Sequence, residues 1–203
     1  KALSLNPGNA DVRSQKLHQQ AHICDWPSID KDRSYFNNLG IIGDAVTPLS
    51  MLSLEDAPDR HRLRSELYAK ERLSQKPLPP IAKPSIKPKR LRIGYFSSDF
   101  KEHPVAYLIS KVIEKHNRST FEVFGYSLND NKKNEMRQRL SKSFDSFLDV
   151  QGMSNKDIAM KARKDKIDIA IDLNGYTQNA RPDIFAYRAA PVQINYLGYP
   201  GPL

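Results

Sequence analysis

The second half of the chain alternates between two hydrophobic patterns. Runs rich in apolar residues, typical of strands buried on both faces, occupy residues 91–96, 121–126, 144–148, 167–173 and 192–197. Helical spacing separates these runs after Pro104, near 131–141, and after Ser154, which forms a capping box with Asp157. In the helix after Pro104, the inward-facing residues are expected to be Val105, Leu108, Ile109, Val112 and Ile113. Strands that alternate with helices predict an α/β fold built on a parallel sheet.

The first half of the chain shows helical spacing without strand-like runs. Helices are expected over 9–20 and 28–39, each capped by its first side chain, an asparagine or a serine. Pro58 stands where the first turn of a helix tolerates proline, so a third helix is predicted from there. Its inward-facing residues are expected to be Leu63, Leu67 and Tyr68. Residues 41–56 are interrupted by a proline and are expected to be irregular.

A proline-rich segment separates the two halves. Residues 74–89 contain Pro77, Pro79, Pro80, Pro84 and Pro88. Proline lacks an amide donor and clashes with the preceding helical turn, so this segment is predicted to be an extended, semi-rigid connector. The expected organisation is a helical segment at 1–73, the connector at 74–89, and an α/β domain at 90–203.

The net charge of +9 raises the question of nucleic-acid binding. Six of these net charges fall within residues 74–98, which contain no acidic residue. Most of the net charge therefore belongs to this one segment, 74–98, and not to a basic face with interleaved aromatic residues. Specific nucleic-acid binding is not expected, although an anionic ligand near this segment stays possible.

Composition narrows the classes of protein further. Hydrophobic residues make up 39% of the chain, as in globular proteins, and no apolar run approaches the roughly 18 residues that span a bilayer. No membrane association is expected. Cys24 is the single cysteine, which excludes an intramolecular disulfide and a multi-cysteine zinc site. A cytoplasmic setting is predicted, and both ends are expected to be cut from a longer polypeptide.

Three polar loops follow predicted strands. They are the segments Ser97–His103, Asn174–Arg181 and Gly198–Gly201. Ligands bind at the carboxyl ends of the strands in an open parallel sheet, and those ends lie at one edge. We therefore expect the three loops to converge and to form the binding site.

Individual residues in these loops allow more than one interpretation. His103 precedes a proline at the start of a helix, where it can accept a proton or serve as a helix cap. Asp172 can orient a ligand or accept hydrogen bonds from loop amides. Arg181 can clamp an anion or pair with Asp183. Gly175 is expected to supply an unusual turn conformation.

Motifs of several enzyme classes are missing, including GxGxxG, the P-loop, HExxH and GxSxG. Residues 90–100 with His103-Pro104-Val105, however, resemble the opening of the catalytic region of the O-linked N-acetylglucosamine transferase family. Residues 172–182 and 188–201 are similar to two further blocks of that family, in the same order. Residues 24–26 resemble the junction that leaves the family's tetratricopeptide repeats.

The resemblance implies a fold, a reaction and a set of site residues. It implies the Rossmann-like N-terminal lobe of a two-lobed GT-B glycosyltransferase, preceded by an α-helical repeat remnant. The implied reaction is metal-independent, inverting transfer of N-acetylglucosamine from UDP-N-acetylglucosamine to Ser or Thr of intracellular proteins, with no cofactor beyond this donor substrate. His103 becomes the catalytic candidate, as base or orienter. The candidate substrate-binding residues are Ser97, Ser98, Asp99, Pro104, Asp172, Asn174, Gly175, Tyr176, Thr177, Arg181, Tyr199, Pro200 and Gly201.

Two alternatives remain open at this stage. One is a relative that uses GDP-fucose, as the Spindly branch of the family does. The other is a non-catalytic protein-interaction module. The fragment alone is expected to be inactive, because most donor contacts in the family come from a second lobe.

Overall fold

A computed structural model describes residues 2–82, 88–129 and 134–203. Contacts divide the chain into two units. One contains the residues up to Ser74 together with Pro200–Leu203, and the other contains Gln75–Tyr199. Part of the expected connector, residues 83–87, and the start of the helix expected near 131 lie outside the described residues.

The Gln75–Tyr199 unit is built on a five-stranded parallel sheet of order β3-β2-β1-β4-β5. The strands are β1 (Leu91–Ser97), β2 (Phe121–Ser127), β3 (Ser146–Asp149), β4 (Ile169–Asp172) and β5 (Val192–Asn195). The helices are α5 (Pro104–Lys115), α6 (Glu135–Ser143), α7 (Asn155–Lys164) and α8 (Asp183–Ala186). The predicted parallel α/β architecture is confirmed.

Both faces of the central strands of the sheet are covered by apolar residues. In β1, Ile93 and Tyr95 belong to a cluster with α5 and α6, whereas Phe96 belongs to a cluster with α7. Phe96 stacks on Tyr126 of β2 with ring centroids 4.4 Å apart. Burial on both faces explains why β1 and β2 read as apolar runs, whereas Val192 and Ile194 of the edge strand β5 are exposed.

Helix α5 begins at Pro104 as predicted, but only part of its expected inner face is buried. Val105, Ile109 and Ile113 are buried, whereas Leu108 and Val112 are exposed. The buried stripe also takes in a small alanine and a serine, Ala106 and Ser110, which allow the helix to lie close to the sheet. The apolar spacing predicted a wider buried face than the helix has, because it included Leu108 and Val112.

In the other unit, α1 spans Ala2–Leu5, α2 spans Ala10–His22, α3 spans Trp26–Lys31 and α4 spans Pro58–Arg72. The Asn9 side chain accepts a hydrogen bond from the amide of Val12 at 2.9 Å, so the predicted cap of α2 is confirmed. Residues 41–56 are mostly irregular, with a short 3₁₀ turn at Pro48–Met51. The core contains Leu17, Ile29, Phe36, Leu39, Val46 and Met51.

The prediction of one helix over 28–39 is wrong. Asp25 caps α3 by accepting from the amide of Ser28 at 3.3 Å, so Ser28 lies inside the helix and does not cap it. The helix ends at Lys31, and Asp32 after it accepts from Arg13 of α2 at 3.0 Å. A 3₁₀ turn follows at Arg33–Tyr35. An ion pair between distant residues thus determines this turn, and local spacing does not reveal it.

The predicted inward face of α4 is wrong in part, because Leu67 and Tyr68 are half-buried but Leu63 is not. Leu63 is exposed, and the residues of α4 that are buried are His61, Arg64 and Ser65. The turns that follow Arg33–Tyr35 leave backbone carbonyls without ladder partners, and buried carbonyls require donors. Arg64 donates to the carbonyl oxygens of Phe36 at 2.5 Å and Leu39 at 2.8 Å.

Arg64 also forms an ion pair with Glu55. Arg60 forms a second ion pair with the same carboxylate, at 2.6 Å. Burial raises the pKa of the Glu55 carboxyl, but the hydrogen bonds and charges of Arg60 and Arg64 outweigh it. The pKa of Glu55 therefore lies below its usual value.

The beginning of the predicted connector is extended but does not stand apart from the α/β unit. The amide of Leu78 donates to the carbonyl of Tyr187 at 3.1 Å, and Arg163 of α7 donates to the carbonyl of Pro79 at 2.6 Å. Gln75 donates to Asp183. This part of the segment is therefore a packed strap and not a free spacer.

Replacing Arg64 with methionine is expected to lower the free energy of unfolding of the helical unit by about 3 kcal/mol, because the buried carbonyls of Phe36 and Leu39 lose their donor and Glu55 loses one of its two cations. Trp26, the single tryptophan, lies in this unit, so urea denaturation followed by tryptophan fluorescence measures the effect. The matched control is Arg62→Ala on the same helix, whose exposed pair with Glu66 is worth less than about 0.5 kcal/mol. Equal effects of the two variants would contradict this account.

Candidate functional site

The strand order reverses beside β1. The chain passes from β1 to β2 and β3 on one side of the sheet, and β4 and β5 lie on the other side. Phe96 of β1 is paired with Asp172 of β4, so the two strands end next to each other. In open α/β sheets, the crevice outside such a switch point is where ligands bind.

Asn174 joins the loop after β4 to the loop after β1. Its Oδ1 accepts from the amide of Ser98 at 2.8 Å. Its Nδ2 donates to Ser98 Oγ at 3.0 Å and to Asp99 Oδ2 at 2.7 Å. Asn174 is 1% exposed, so these bonds form out of contact with water. The structure therefore brings the first two predicted loops together.

Asp172 holds the backbone of Asn174, whose side chain links the two loops. Its Oδ1 accepts from the amide of Asn174 at 2.9 Å, and the amide of Gly175 also donates to the carboxylate. Burial raises the pKa of Asp172, and the two amide hydrogen bonds offset part of that rise. These contacts favour the interpretation of Asp172 as a residue that orders the loop.

The loop after β1 is ordered in the same way. Ser97 Oγ accepts from the amide of Asp99 at 2.9 Å, and Ser98 Oγ donates to Asp99 Oδ1 at 3.2 Å. Ser97, Ser98 and Asp99 are all buried. Their polar groups are therefore committed to holding the loop against the sheet edge.

His103 lies at the outer end of this loop and caps α5. Its Nδ1 accepts from the amide of Val105 at 3.3 Å, and its backbone is extended. Asp99 Oδ2 lies 3.8 Å from the same nitrogen, beyond hydrogen-bond distance. The side chain is 38% exposed. Pro104 occupies the first helical position, where its missing amide hydrogen costs nothing.

Part of the third predicted loop packs against the second. Gly175 has φ of +60°, and a Cβ there would collide with the Cβ of Tyr199. The rings of Tyr176 and Tyr199 meet edge to face with centroids 5.6 Å apart. Pro200 and Gly201 belong to the other unit by their contacts. Tyr199 thus packs on the second loop, and Gly198 beside it lies against the backbone of Leu173 and Asn174.

Comparison with known proteins now identifies the family. The sequence pattern of glycosyl transferase family 41 matches residues 68–202. The chain belongs to glycosyl transferase family 41. The matched region includes the three polar loops of the switch point and all of the α/β unit.

Individual members of the family share substantial sequence with the chain. An Arabidopsis thaliana protein, named as the probable UDP-N-acetylglucosamine–peptide N-acetylglucosaminyltransferase SEC, is 48% identical over 131 residues, which are 61% of this chain and 13% of that protein. The Caenorhabditis elegans UDP-N-acetylglucosamine–peptide N-acetylglucosaminyltransferase is 35% identical over 196 residues, or 88% of this chain and 17% of that protein. The chain therefore spans well under a fifth of these relatives.

A solved structure gives the same assignment. A mutant of the Thermobaculum terrenum O-GlcNAc transferase superposes with a TM-score of 0.69 and 26% identity, covering 98% of this chain and 39% of that chain. The five-stranded parallel unit accordingly has the architecture of a GT-B catalytic lobe. The resemblance of residues 90–201 to the catalytic region of the family is confirmed.

Two of the predicted site residues in this family 41 chain are used for loop structure. Arg181 donates to Asn155 Oδ1 and to the carbonyl of Met153, both at 2.6 Å, and burial lowers the pKa of its guanidinium. Its expected partner Asp183 instead accepts from Gln75. Thr177 Oγ1 donates to the carbonyl of Asn174 at 3.1 Å. Arg181 thus closes the turn before α7.

Arg137 is a charged residue at this sheet edge that sequence reasoning missed. It donates to Ser127 Oγ at the end of β2 and to Asp149 Oδ2 at the end of β3, both at 2.8 Å. Its guanidinium carbon lies 5.0 Å from the centroid of the Phe147 ring. The polar residues that end β2 and β3 were the available signal, but their spacing from Arg137 carries no motif.

Within the described residues, no group of three or more histidine, cysteine or acidic side chains is arranged to hold a metal ion. The same residues include no helix with the length and apolar character of a membrane span.

Replacing Asn174 with alanine is expected to separate the two loops. The loss of three buried side-chain hydrogen bonds should lower the free energy of unfolding by about 2–3 kcal/mol and speed amide exchange over residues 97–103. Hydrogen–deuterium exchange read by mass spectrometry measures the local effect. Gln178→Ala, an exposed position of the same loop, is the control and should leave exchange over 97–103 unchanged. Unchanged exchange in the Asn174 variant would show that the bridge does not hold the loops.

Gly175→Ala tests the packing of Tyr199. The left-handed backbone and the collision with Tyr199 predict a loss of about 2 kcal/mol or more in the free energy of unfolding. Gly152→Ala is the matched control, because a Cβ at Gly152 meets nothing within 4 Å. Urea unfolding followed by circular dichroism compares the two variants. A Gly175 variant as stable as the Gly152 variant would refute the close approach.

Proposed function

We propose that this chain contributes the N-terminal catalytic lobe of a protein O-glycosyltransferase that moves N-acetylglucosamine from UDP-N-acetylglucosamine to Ser or Thr hydroxyls. Membership of glycosyl transferase family 41 is the observation that carries the proposal. Support comes from the names of the relatives, which specify this donor sugar and peptide acceptors. Because the chain spans only part of these relatives, the activity is assigned to the full-length protein.

The proposed reaction is a single displacement with inversion. The acceptor oxygen forms a bond to the anomeric carbon, and the bond from that carbon to the diphosphate oxygen breaks. UDP leaves with the electron pair, and the hydroxyl proton is released. Charge develops on the diphosphate, so preorganised donors near the leaving group are the main catalytic requirement.

The loops of the switch point suit such a role. Asp172, Asn174 and Ser97 are buried and hold the loop backbone, whereas His103 is partly exposed at the N-terminus of the 12-residue helix α5. Amide groups at a helix N-terminus favour an anion. We assign the buried residues to positioning and His103 to contact with the substrates.

The helical unit is proposed to be the end of a tetratricopeptide array that recruits protein substrates. Support comes from the succession of α1 and α2 across the turn at Pro7-Gly8, followed by the Cys24-Asp25-Trp26 junction. An exposed free thiol at Cys24 is compatible with a reducing compartment, so we propose a cytoplasmic location.

The proposal is tested with the full-length protein, UDP-N-acetylglucosamine and an acceptor protein extract, with GDP-fucose as the parallel donor. Release of UDP with sugar incorporation into protein is expected. His103→Ala should lower the rate on the order of 10- to 100-fold, the cost of one hydrogen bond to a charged or developing-charge group. Gln178→Ala, an exposed substitution in the loop after β4, is the control and should leave the rate unchanged.

Other outcomes point to the alternatives. Release of GDP with fucose incorporation would assign the other donor to the same fold. A folded full-length protein that releases neither nucleotide would overturn the enzyme proposal and favour an interaction module.

A further inference from the structure

The hydrogen bond at the start of α5 determines which nitrogen of His103 carries the proton. Nδ1 is 3.3 Å from the amide nitrogen of Val105 and accepts its hydrogen. An accepting nitrogen has no proton of its own, so the neutral imidazole must carry its proton on Nε2. With a proton on Nδ1, two N–H groups would face each other across this distance.

The carboxylate beside His103 does not reverse this arrangement. In a histidine that acts as a base through Nε2, Nδ1–H commonly donates to a carboxylate, which leaves the lone pair on Nε2. Here Asp99 Oδ2 is 3.8 Å from Nδ1 and instead accepts from Asn174 Nδ2 at 2.7 Å. Asp99 Oδ1 accepts from Ser98. Asp99 is therefore committed to the loop bridge and is no partner for Nδ1–H.

The orientation of the His103 imidazole ring is also fixed. The extended backbone at His103, the following proline and the cap hold Nδ1 toward the helix. Nε2 is on the far side of the imidazole ring from Nδ1, in a side chain that is 38% exposed at the switch-point edge. Nε2–H is thus the group that His103 presents outward.

We propose that His103 acts in glycosyl transfer as a neutral hydrogen-bond donor, through Nε2–H, to an oxygen of the bound nucleotide sugar, and does not act as the base. This inference rests on the proposed function and specifies the role of one residue in it. The acceptor oxygen still bonds to the anomeric carbon as UDP departs with the bond's electron pair. The hydroxyl proton is released to water, since Nε2 offers no lone pair to receive it.

Two substitutions separate the donor from the cap. Asparagine is a favoured helix cap, so His103→Asn should keep α5 stable, but its amide does not extend to the position of Nε2. Glutamine places an amide nitrogen near that position, so His103→Gln keeps a donor there and has no basic group at neutral pH. In the full-length enzyme, we expect the Gln variant to retain at least tenfold more kcat/KM than the Asn variant. Thermal unfolding of each variant verifies that the fold is intact.

A base at His103 gives a different result. Both variants would then lose activity to a similar extent, and this outcome overturns the proposal. A wild-type enzyme that releases no nucleotide with either donor would instead refute the proposed function, so the two failures are distinguishable.

The tautomer can be measured without any activity. Nitrogen-15 spectra of the histidine side chains in the full-length protein distinguish a protonated from an unprotonated ring nitrogen, and His103→Asn identifies the His103 signals by their loss. We expect a proton on Nε2 and none on Nδ1 at pH 8. A proton on Nδ1 would overturn the assignment of His103 as a donor.

Discussion

The candidate site depends on one buried carboxamide, that of Asn174. Adjacent parallel strands end at a common edge, but this alone does not hold their loops together. Asn174 accepts from one amide and donates to a hydroxyl and a carboxylate of the loop after β1. Asp172 fixes the amide of Asn174 itself. The Asn174 side chain thus links the end of β4 to the loop that contains Asp99 and ends at His103.

This bridge divides the polar residues of the edge into two groups. Ser97, Asp172 and Asn174 are buried and have their polar atoms committed to backbone and side-chain partners. His103 uses one ring nitrogen for the cap, and its side chain is 38% exposed. Polar groups that are satisfied inside the protein hold a geometry, whereas a group facing the crevice is available to a ligand. The geometry of this edge accordingly depends on side chains that are buried beneath its surface.

Elsewhere in the molecule, arginine side chains bind backbone carbonyls. Several donate to backbone carbonyls that belong to turns and irregular segments, namely Arg64, Arg118, Arg163 and Arg181. Arg163 joins the strap after Gln75 to the carbonyls of Tyr187 and Arg188. A basic composition here partly reflects loops that need donors, because carbonyls outside helices and sheets lack regular partners. Net charge is thus a weak guide to the ligands of such a chain.

A feature could be predicted from the sequence when the contacts that determine it join residues close together in the chain. The cap at Asn9, the start of α5 at Pro104 and the succession of strands were evident because neighbours within a few residues determine them. The family was evident because its motifs are contiguous. The contacts of Arg13 with Asp32 at the end of α3, and of Arg64 with the Phe36 and Leu39 carbonyls at α4, join residues far apart in the chain, so periodicity was misleading there.

The same distinction holds at the site. The order of strands predicted which loops meet, but residue types left His103 as a base or a cap, and Arg181 as an anion clamp or a partner of Asp183. Only the tertiary structure showed Nδ1 of His103 accepting from Val105 and Arg181 closing a turn. Sequence alone determined the succession of strands, the start of α5 and the family, because these follow from local patterns. The folded chain decided which polar atoms are committed, because that depends on the rotamer of His103 and on hydrogen bonds between distant residues, such as Asn174 with Asp99 and Arg181 with Asn155.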